Sequence, residues 1–326
     1  TSEYSSINMS ADTDNWTITK ITRNPINITS LLFVNGNYLM TANNGATPLL
    51  ISEDGYQWIT NGSFTPFSST PWDVVSYDIS SMSMPAFSLN ESAYYNGIYV
   101  AVGDNIVSST DLYAWVERFT FGGTLTTSEF KGVCYANTAG FSGFMAVGLG
   151  QIITYNNVGN VTNVGIVYTS PDGITWQQVS MNITTDLSFN SIAASEQTIV
   201  VVGDDGLIWT SFNGSIWFNQ PSPVTSNLNN VSWNSVNNTF MAVGDDGVIL
   251  YNSTGTGITW TRQTSGTTED LQSSVWNSSR GEYVVVGYNN TILTSTIAAT
   301  SWSAHAKFIN PIAVYDVQGD DFSAGY

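Results

Sequence analysis

The chain has 326 residues, 42% of them apolar and only 10% charged, with 7 basic against 25 acidic side chains and a formal net charge of −18. That surplus of acids repels nucleic acid and anionic membrane surfaces, and no apolar run approaches the roughly 20 residues needed to span a bilayer. The length alone suggests two domains at about 150 residues each, yet a closed all-β ring routinely exceeds that average.

The chain begins at Thr1, without an initiator Met or a signal peptide, which fits a mature, processed, soluble protein. Its first recognisable element is SADTDNW, residues 10–16, and related stretches follow: SEDGYQW to Trp58, STDLYAW to Trp115, SPDGITW to Trp176 and SFNGSIW to Trp217. The slightly longer STGTGITW and STIAATSW end at Trp260 and Trp302. In such a turn an Asp side chain accepts backbone N–H groups, Gly takes a left-handed conformation and Trp buries a large face. An aliphatic residue stands three positions before each opening Ser, at Ile7, Leu49, Ile106, Val167, Ile208, Leu250 and Ile292, which marks a strand feeding the turn. Ahead of these strands lies a second recurring element that ends in Gly: YVAVG to Gly103, FMAVG to Gly148, IVVVG to Gly203, FMAVG to Gly244 and YVVVG to Gly287. The segment from Tyr38 to Ala42 is its weakest form. Each unit reads as strand a, hairpin, strand b, tight turn, strand c, Ser/Asp turn and strand d. Four short antiparallel strands in about 42 residues make one propeller blade.

Seven copies in register resemble the Asp-box (BNR) repeat propellers, the group that includes sialidases, sortilin-type receptors and photosystem II assembly factors. The resemblance covers nearly the whole chain and implies an all-β, seven-bladed propeller forming a single domain over residues 1–326. The N-terminus supplies strands c and d alone. The C-terminal IAVYDVQGDDFSAGY matches strands a and b, so the ends are expected to pair and close the ring. Two insertions interrupt the period. Residues 61–91 join a strand d to the next strand a and carry Phe64, Phe67, Trp72, Tyr77, Met82, Met84 and Phe87 with few charges; residues 151–165 lengthen a b-to-c connection. Both connections emerge on one face of a propeller, and the aromatic content favours a contact surface for another protein or a second copy of the chain.

Catalysis is poorly supplied. The resemblance implies that a sialidase would hold its substrate carboxylate with three Arg near the axis, whereas this chain has Arg23, Arg118, Arg262 and Arg280, of which only Arg23 has a plausible address. The lone His305 follows Trp302 on an outer strand, and no Cys/His cluster suggests zinc. The turns GDDG (203–206), GDDG (244–247) and Gly103-Asp104-Asn105 read as two-residue hairpins suited to positive φ. Their carboxylates, Asp104, Asp204, Asp205, Asp245 and Asp246, are also weak candidates for a Ca²⁺ ring. No cofactor is otherwise implied. Cys134 reads as a small buried hydrophobe, and with no possible internal disulfide a prokaryotic, archaeal or viral surface protein is favoured over an animal secreted one.

Thirteen Asn-x-Ser/Thr sequons are spread along the chain. Those falling in predicted loops and turns, Asn61, Asn160, Asn182, Asn237, Asn252, Asn277 and Asn289, are the candidates to carry glycans. The sequence-level expectation is a non-catalytic extracellular interaction or structural protein, glycosylated, such as a surface adhesin or a subunit of an appendage or virion. The alternative is a carbohydrate-active enzyme or glycan-binding lectin of the same propeller type.

Overall fold

The computed structural model describes residues 5–9, 17–22, 28–34, 36–42, 49–52, 59–60, 88–112, 114–119, 125–154, 160–180, 187–278, 280–296 and 301–304. These form six four-stranded antiparallel sheets, each with its strands in chain order from a to d, and one two-stranded sheet. Blade one runs from Ile28–Val34 to Ile59–Thr60, and blade two from Leu89–Tyr95 to Val116–Glu117. Blade three runs from Leu125–Thr138 to Gln177–Gln178, and blade four from Phe189–Ala194 to Trp217–Asn219. Blade five runs from Leu228–Asn234 to Thr261–Thr264, and blade six from Leu271–Asn277 to Ser303–Ala304. Strand a of each blade lies beside strand a of the next.

The expectation of seven blades is corrected by this topology. Among the described residues the N-terminal segment pairs only with itself, Ser5–Met9 against Thr17–Thr22 with Ile7 opposite Thr19, and forms a two-stranded sheet in addition to the six four-stranded blades. The physical reason is that the Ser/Asp turn specifies one hairpin. Counting turns therefore counts hairpins, and a hairpin carries no instruction for the two further strands that make a blade. The C-terminal stretch expected to supply them lies outside the described residues.

The Gly that ends each strand b has a steric cause. Its φ is extended, −167° at Gly203 and −166° at Gly244, so any residue could adopt the backbone. A Cβ there, however, would lie 2.0 to 2.3 Å from the carbonyl oxygen of Ser88, Glu129, Ser188, Asn227 or Asp270 on the incoming chain. Four of those carbonyls accept the N–H of the residue after the Gly, at 2.9 to 3.1 Å. The incoming chain is thereby held flush against the end of strand b.

The closing turns form as their chemistry dictates. Asp172 Oδ1 accepts the N–H groups of Ile174 and Thr175 at 2.9 and 2.8 Å. The Thr175 N–H above all holds this carboxyl below its ordinary range. Asp111 accepts from Ala114 at 2.8 Å, and Asn213 does the same work for Ser215 and Ile216 at 3.0 and 2.9 Å. An amide oxygen can thus replace the carboxylate. In the next position Gly173 and Gly214 take φ of +69° and +70°, where a Cβ would meet side chains of the preceding blade within 2.8 and 3.1 Å. Blade two puts Leu112 there at φ 69° and buries it in the layer it shares with blade one.

The core is a series of layers between blades, each holding residues of two neighbours. The Trp after each closing turn joins the layer shared with the preceding blade: Trp115, Trp176, Trp217, Trp260 and Trp302 in order. In Trp115, Trp176, Trp217 and Trp260 the indole N–H donates back to a turn carbonyl, as from Trp260 to Gly257 at 2.7 Å, whereas the indole N–H of Trp302 is buried without a partner among the described residues. Trp115 and Trp260 are buried, whereas Trp176 and Trp217 are half-buried, less than the sequence suggests. Trp58 lies outside the described residues.

Between blades five and six, the Tyr283 hydroxyl accepts from Asn234 Nδ2 at 3.0 Å and pairs with Thr239 Oγ1. Burial pushes Tyr283 up to about 12. An unfolded Tyr ionises near pH 10. Its folded pKa is raised, so its contribution is intact below about pH 10 and is lost as pH rises to 12, at no more than about 1.4 kcal/mol per unit. Denaturant melts through the alkaline range should show this decline in the parent and a shallower one in Tyr283→Phe.

Candidate functional site: the propeller axis and its connections

Each of the six described strands a carries a β-bulge at the same place in the repeat, with register slips at Ile28/Ser30, Leu89/Glu91, Phe130/Gly132, Phe189/Ser191, Leu228/Asn230 and Leu271/Ser273; it opens the strand in every blade but the third, whose strand a is extended back to Leu125. A bulge sets two residues against one and leaves part of the ladder unpaired. The extra residues, Thr29, Asn90, Lys131, Asn190, Asn229 and Gln272, line a small cavity of about 70 Å³ where all six blades meet.

Four of these residues latch onto the next blade. Thr29 Oγ1 donates to Leu89 O at 2.6 Å, Asn90 Nδ2 to Phe130 O at 2.8 Å, Asn190 Nδ2 to Leu228 O at 3.1 Å and Asn229 Nδ2 to Leu271 O at 2.9 Å. Lys131 departs from the pattern and donates to Asn190 Oδ1 at 3.0 Å. One residue further on the polarity reverses. Glu91 Oε2 accepts the Val133 N–H at 2.9 Å, Ser191 Oγ the Val231 N–H at 3.2 Å and Asn230 Oδ1 the Ser274 N–H at 3.1 Å. Each bond contributes about 0.5–1.5 kcal/mol net, and leaving such a backbone group unpaired would cost about 1–3 kcal/mol. The axis therefore joins blades through side chains that satisfy their neighbours' bulges.

The b-to-c turns support these latches. Asp204 Oδ1 and Asp245 Oδ1 accept Asn190 Nδ2 and Asn229 Nδ2 at 2.9 and 2.8 Å, orienting both amides. Asp104 Oδ2 accepts the Ser88 N–H at 2.8 Å. Two of the turns expected to be two-residue hairpins, Asp204–Gly206 and Asp245–Gly247, are single turns of 3₁₀ helix, and Tyr288–Asn290 in blade six forms a third. Their central residues, Asp205, Asp246 and Asn289, take φ of 53° to 56°, a conformation Asp and Asn tolerate best among residues with a Cβ. Asp246 Oδ2 accepts Ser226 Oγ at 3.0 Å. Among the described residues no group of three or more His, Cys, Asp or Glu is brought together to hold a metal. The five candidate carboxylates lie on three turns, those of blades two, four and five, and Asp104, Asp204, Asp245 and Asp246 carry turn and latch bonds.

The cations are equally dispersed. Arg118 Nε donates to Ser108 Oγ at 2.8 Å at the outer edge of blade two, and Arg280 pairs with Glu282 at 2.8 Å on an a-to-b hairpin. Exposed Arg262 lies on strand d of blade five, beside an open depression of about 680 Å³ that Asp246 and Thr267 also line. Arg23 and His305 fall outside the described residues. Half-buried Cys134 packs against the layer between blades three and four. Burial, and then the charge of Glu91, pushes its thiol up, so it is a poor nucleophile.

The 151–165 insertion builds β-structure. It lengthens strands b and c of blade three to Phe141–Thr154 and Asn160–Ser170, paired out to Thr154 opposite Asn160, and strand a follows as far as Leu125 opposite Ile152. Of the 61–91 insertion, all seven apolar candidates, Phe64, Phe67, Trp72, Tyr77, Met82, Met84 and Phe87, lie outside the described residues.

Two glycan candidates are corrected. Asn252 is fully buried, its Nδ2 donating to Thr259 O at 2.8 Å and its Oδ1 accepting the Gly257 N–H at 3.2 Å, so it serves the closing turn of blade five. The Nδ2 of Asn237 is also enclosed. Asn289 is exposed and Asn277 half-buried on a hairpin. Asn160 opens strand c of blade three, while Asn61 and Asn182 lie outside the described residues. Sequence reasoning missed the six bulge residues. Their signal is a break in alternation, one large apolar residue followed by two small or polar ones, as in LNE, FNS, LNN and LQS.

No family model matches the chain, and no curated protein sequence matches it. Solved structures do. YCF48 from Cyanidioschyzon merolae superposes with a TM-score of 0.55 at 10% identity, over 86% of this chain and 84% of that one. YCF48 bound to D1 peptide gives 0.57 at 14% identity, over 86% and 82%. The RRP9 WD40 repeats give 0.58 at 8% identity, over 90% and 84%. Identities this low carry the architecture alone. The shared chain path and the six sheets make the fold of this chain a β-propeller.

Proposed function

We propose that this chain is an Asp-box-type propeller acting as a non-catalytic extracellular scaffold, a surface adhesin or a subunit of an appendage or virion, that binds protein through its connections. The observation that carries this reading is the use of the axis. In propellers the central mouth is the natural place for chemistry, and here Thr29, Asn90, Glu91, Lys131, Asn190, Ser191, Asn229 and Asn230, most of the polar side chains that reach it, are engaged in tying blade to blade. A cavity of about 70 Å³ leaves space for little more than water. The protein-peptide complex formed by structurally similar YCF48 supports the same direction.

The extracellular part of the reading rests on the low charge and on sequons in predicted turns, with Asn61, Asn160, Asn182, Asn277 and Asn289 proposed to carry sugar. Intact-mass measurement on protein from its native source tests it. The expected mass exceeds that of the polypeptide by whole glycans, with peptide mapping finding none on Asn252 or Asn237. An unmodified mass would remove the extracellular assignment.

A further inference from the structure

Blade four closes with the same turn as its neighbours but clothes it differently. Phe212, Ile216 and Phe218 are 47%, 58% and 50% exposed, a cluster of large apolar side chains around one turn and one outer strand. At the position of Phe212, blades two and three have Thr110 and Pro171; at that of Ile216 the other blades have Ala114, Thr175 and Thr259; at that of Phe218 they have Val116, Gln177 and Thr261. The repeat is its own control, since five other closing strands fold without this trio.

The outer strand Trp217–Asn219 is also an edge whose outward N–H and C=O groups face solvent. Proteins usually protect such edges with charge, as Glu117 and Arg118 do on blade two and Arg262 on blade five. Blade four has no such protection, because the sequence carries no charged residue from Gly206 to Gly244.

We infer that this corner is a self-association surface, and that its occupant is a second copy of the chain related by a two-fold axis. The argument is electrostatic. Two molecules of charge −18 repel each other, and at a two-fold contact each patch meets its own image, so any acid in the patch faces its counterpart. An apolar sector free of charge avoids that repulsion, whereas a cationic partner would be drawn to the acidic turns at the axis. Paired antiparallel, the two edges would join blade four of one copy to blade four of the other in a continuous sheet. This goes beyond the proposed scaffold function and does not depend on the 61–91 insertion.

Sedimentation equilibrium of the full chain tests the inference. The parent should show a monomer–dimer equilibrium that strengthens with added salt, as screening weakens the remaining repulsion. Ile216→Lys with Phe218→Lys should weaken dimerisation at least tenfold with an unchanged melting temperature. Ile258→Lys, in the equivalent turn of blade five, should leave it intact. Should the lysines lower the melting temperature, Phe218→Ser gives the same test without charge. A parent that sediments as a monomer throughout, or variants that dimerise like the parent, would overturn the proposal and leave the scaffold reading standing.

Discussion

Gly244→Ala is expected to cost about 3 kcal/mol or more, the upper end for forcing a methyl group into a packed interior. The added Cβ would stand 2.0 Å from Asn227 O, a backbone atom that cannot rotate away. Nor can that carbonyl simply retreat, because it accepts the Asp245 N–H at 3.0 Å, and Asp245 orients the Asn229 latch to blade six. One methyl group therefore disturbs the end of strand b, the turn and the interblade latch together. The comparison is Gly266→Ala, where φ is +79° but open space surrounds the position; only the left-handed backbone should register there, at about 1–2 kcal/mol. Denaturant melts of both variants check the order. Equal losses would mean that the close approach does not constrain the fold.

Trp260→Ala should cost about 3–5 kcal/mol, the usual range for a buried aromatic. Trp260 is 7% exposed, packs with Val200, Val202 and Leu250 between blades four and five, and anchors its turn through the Gly257 carbonyl. Half-buried Trp217 makes the analogous bond at 3.2 Å, so Trp217→Ala should lose less. The ranking can be read from urea midpoints at constant slope. Melting of Trp260→Ala like the parent would show that the Trp decorates the layer instead of filling it.

The repeat was legible in the sequence because it is written in residues with narrow physical roles. Gly at the end of strand b, Asp or Asn in the closing turn and Trp after it each answer one local demand, so their spacing identified strands, turns and blade order. The number of blades was less legible. SADTDNW carries the turn motif and the strands on either side of it, Ser5–Met9 and Thr17–Thr22, do pair, but sheet completion depends on long-range pairing that no local motif records. The axis was missed for a related reason. Asn90, Asn190 and Asn229 look like ordinary polar strand residues, and only the bulge turns them toward the neighbouring blade, where Leu89, Leu228 and Leu271 mark the same register. Asn252 shows the opposite error: its sequon reads as a surface feature, yet in this turn the side chain makes the pair of backbone hydrogen bonds that Ser211 makes in blade four and is buried by that task.

The central claim is that the repeat's chemistry holds the ring together while recognition belongs to its connections, above all the 61–91 insertion. Replacing residues 64–87 with a short Gly-Ser linker removes Phe64, Phe67, Trp72, Tyr77, Met82, Met84 and Phe87 and leaves every described blade residue in place. The account predicts a folded protein with near-parental melting that no longer joins its native assembly. A deleted protein that unfolds, or one that assembles with its native partner as the parent does, would contradict it.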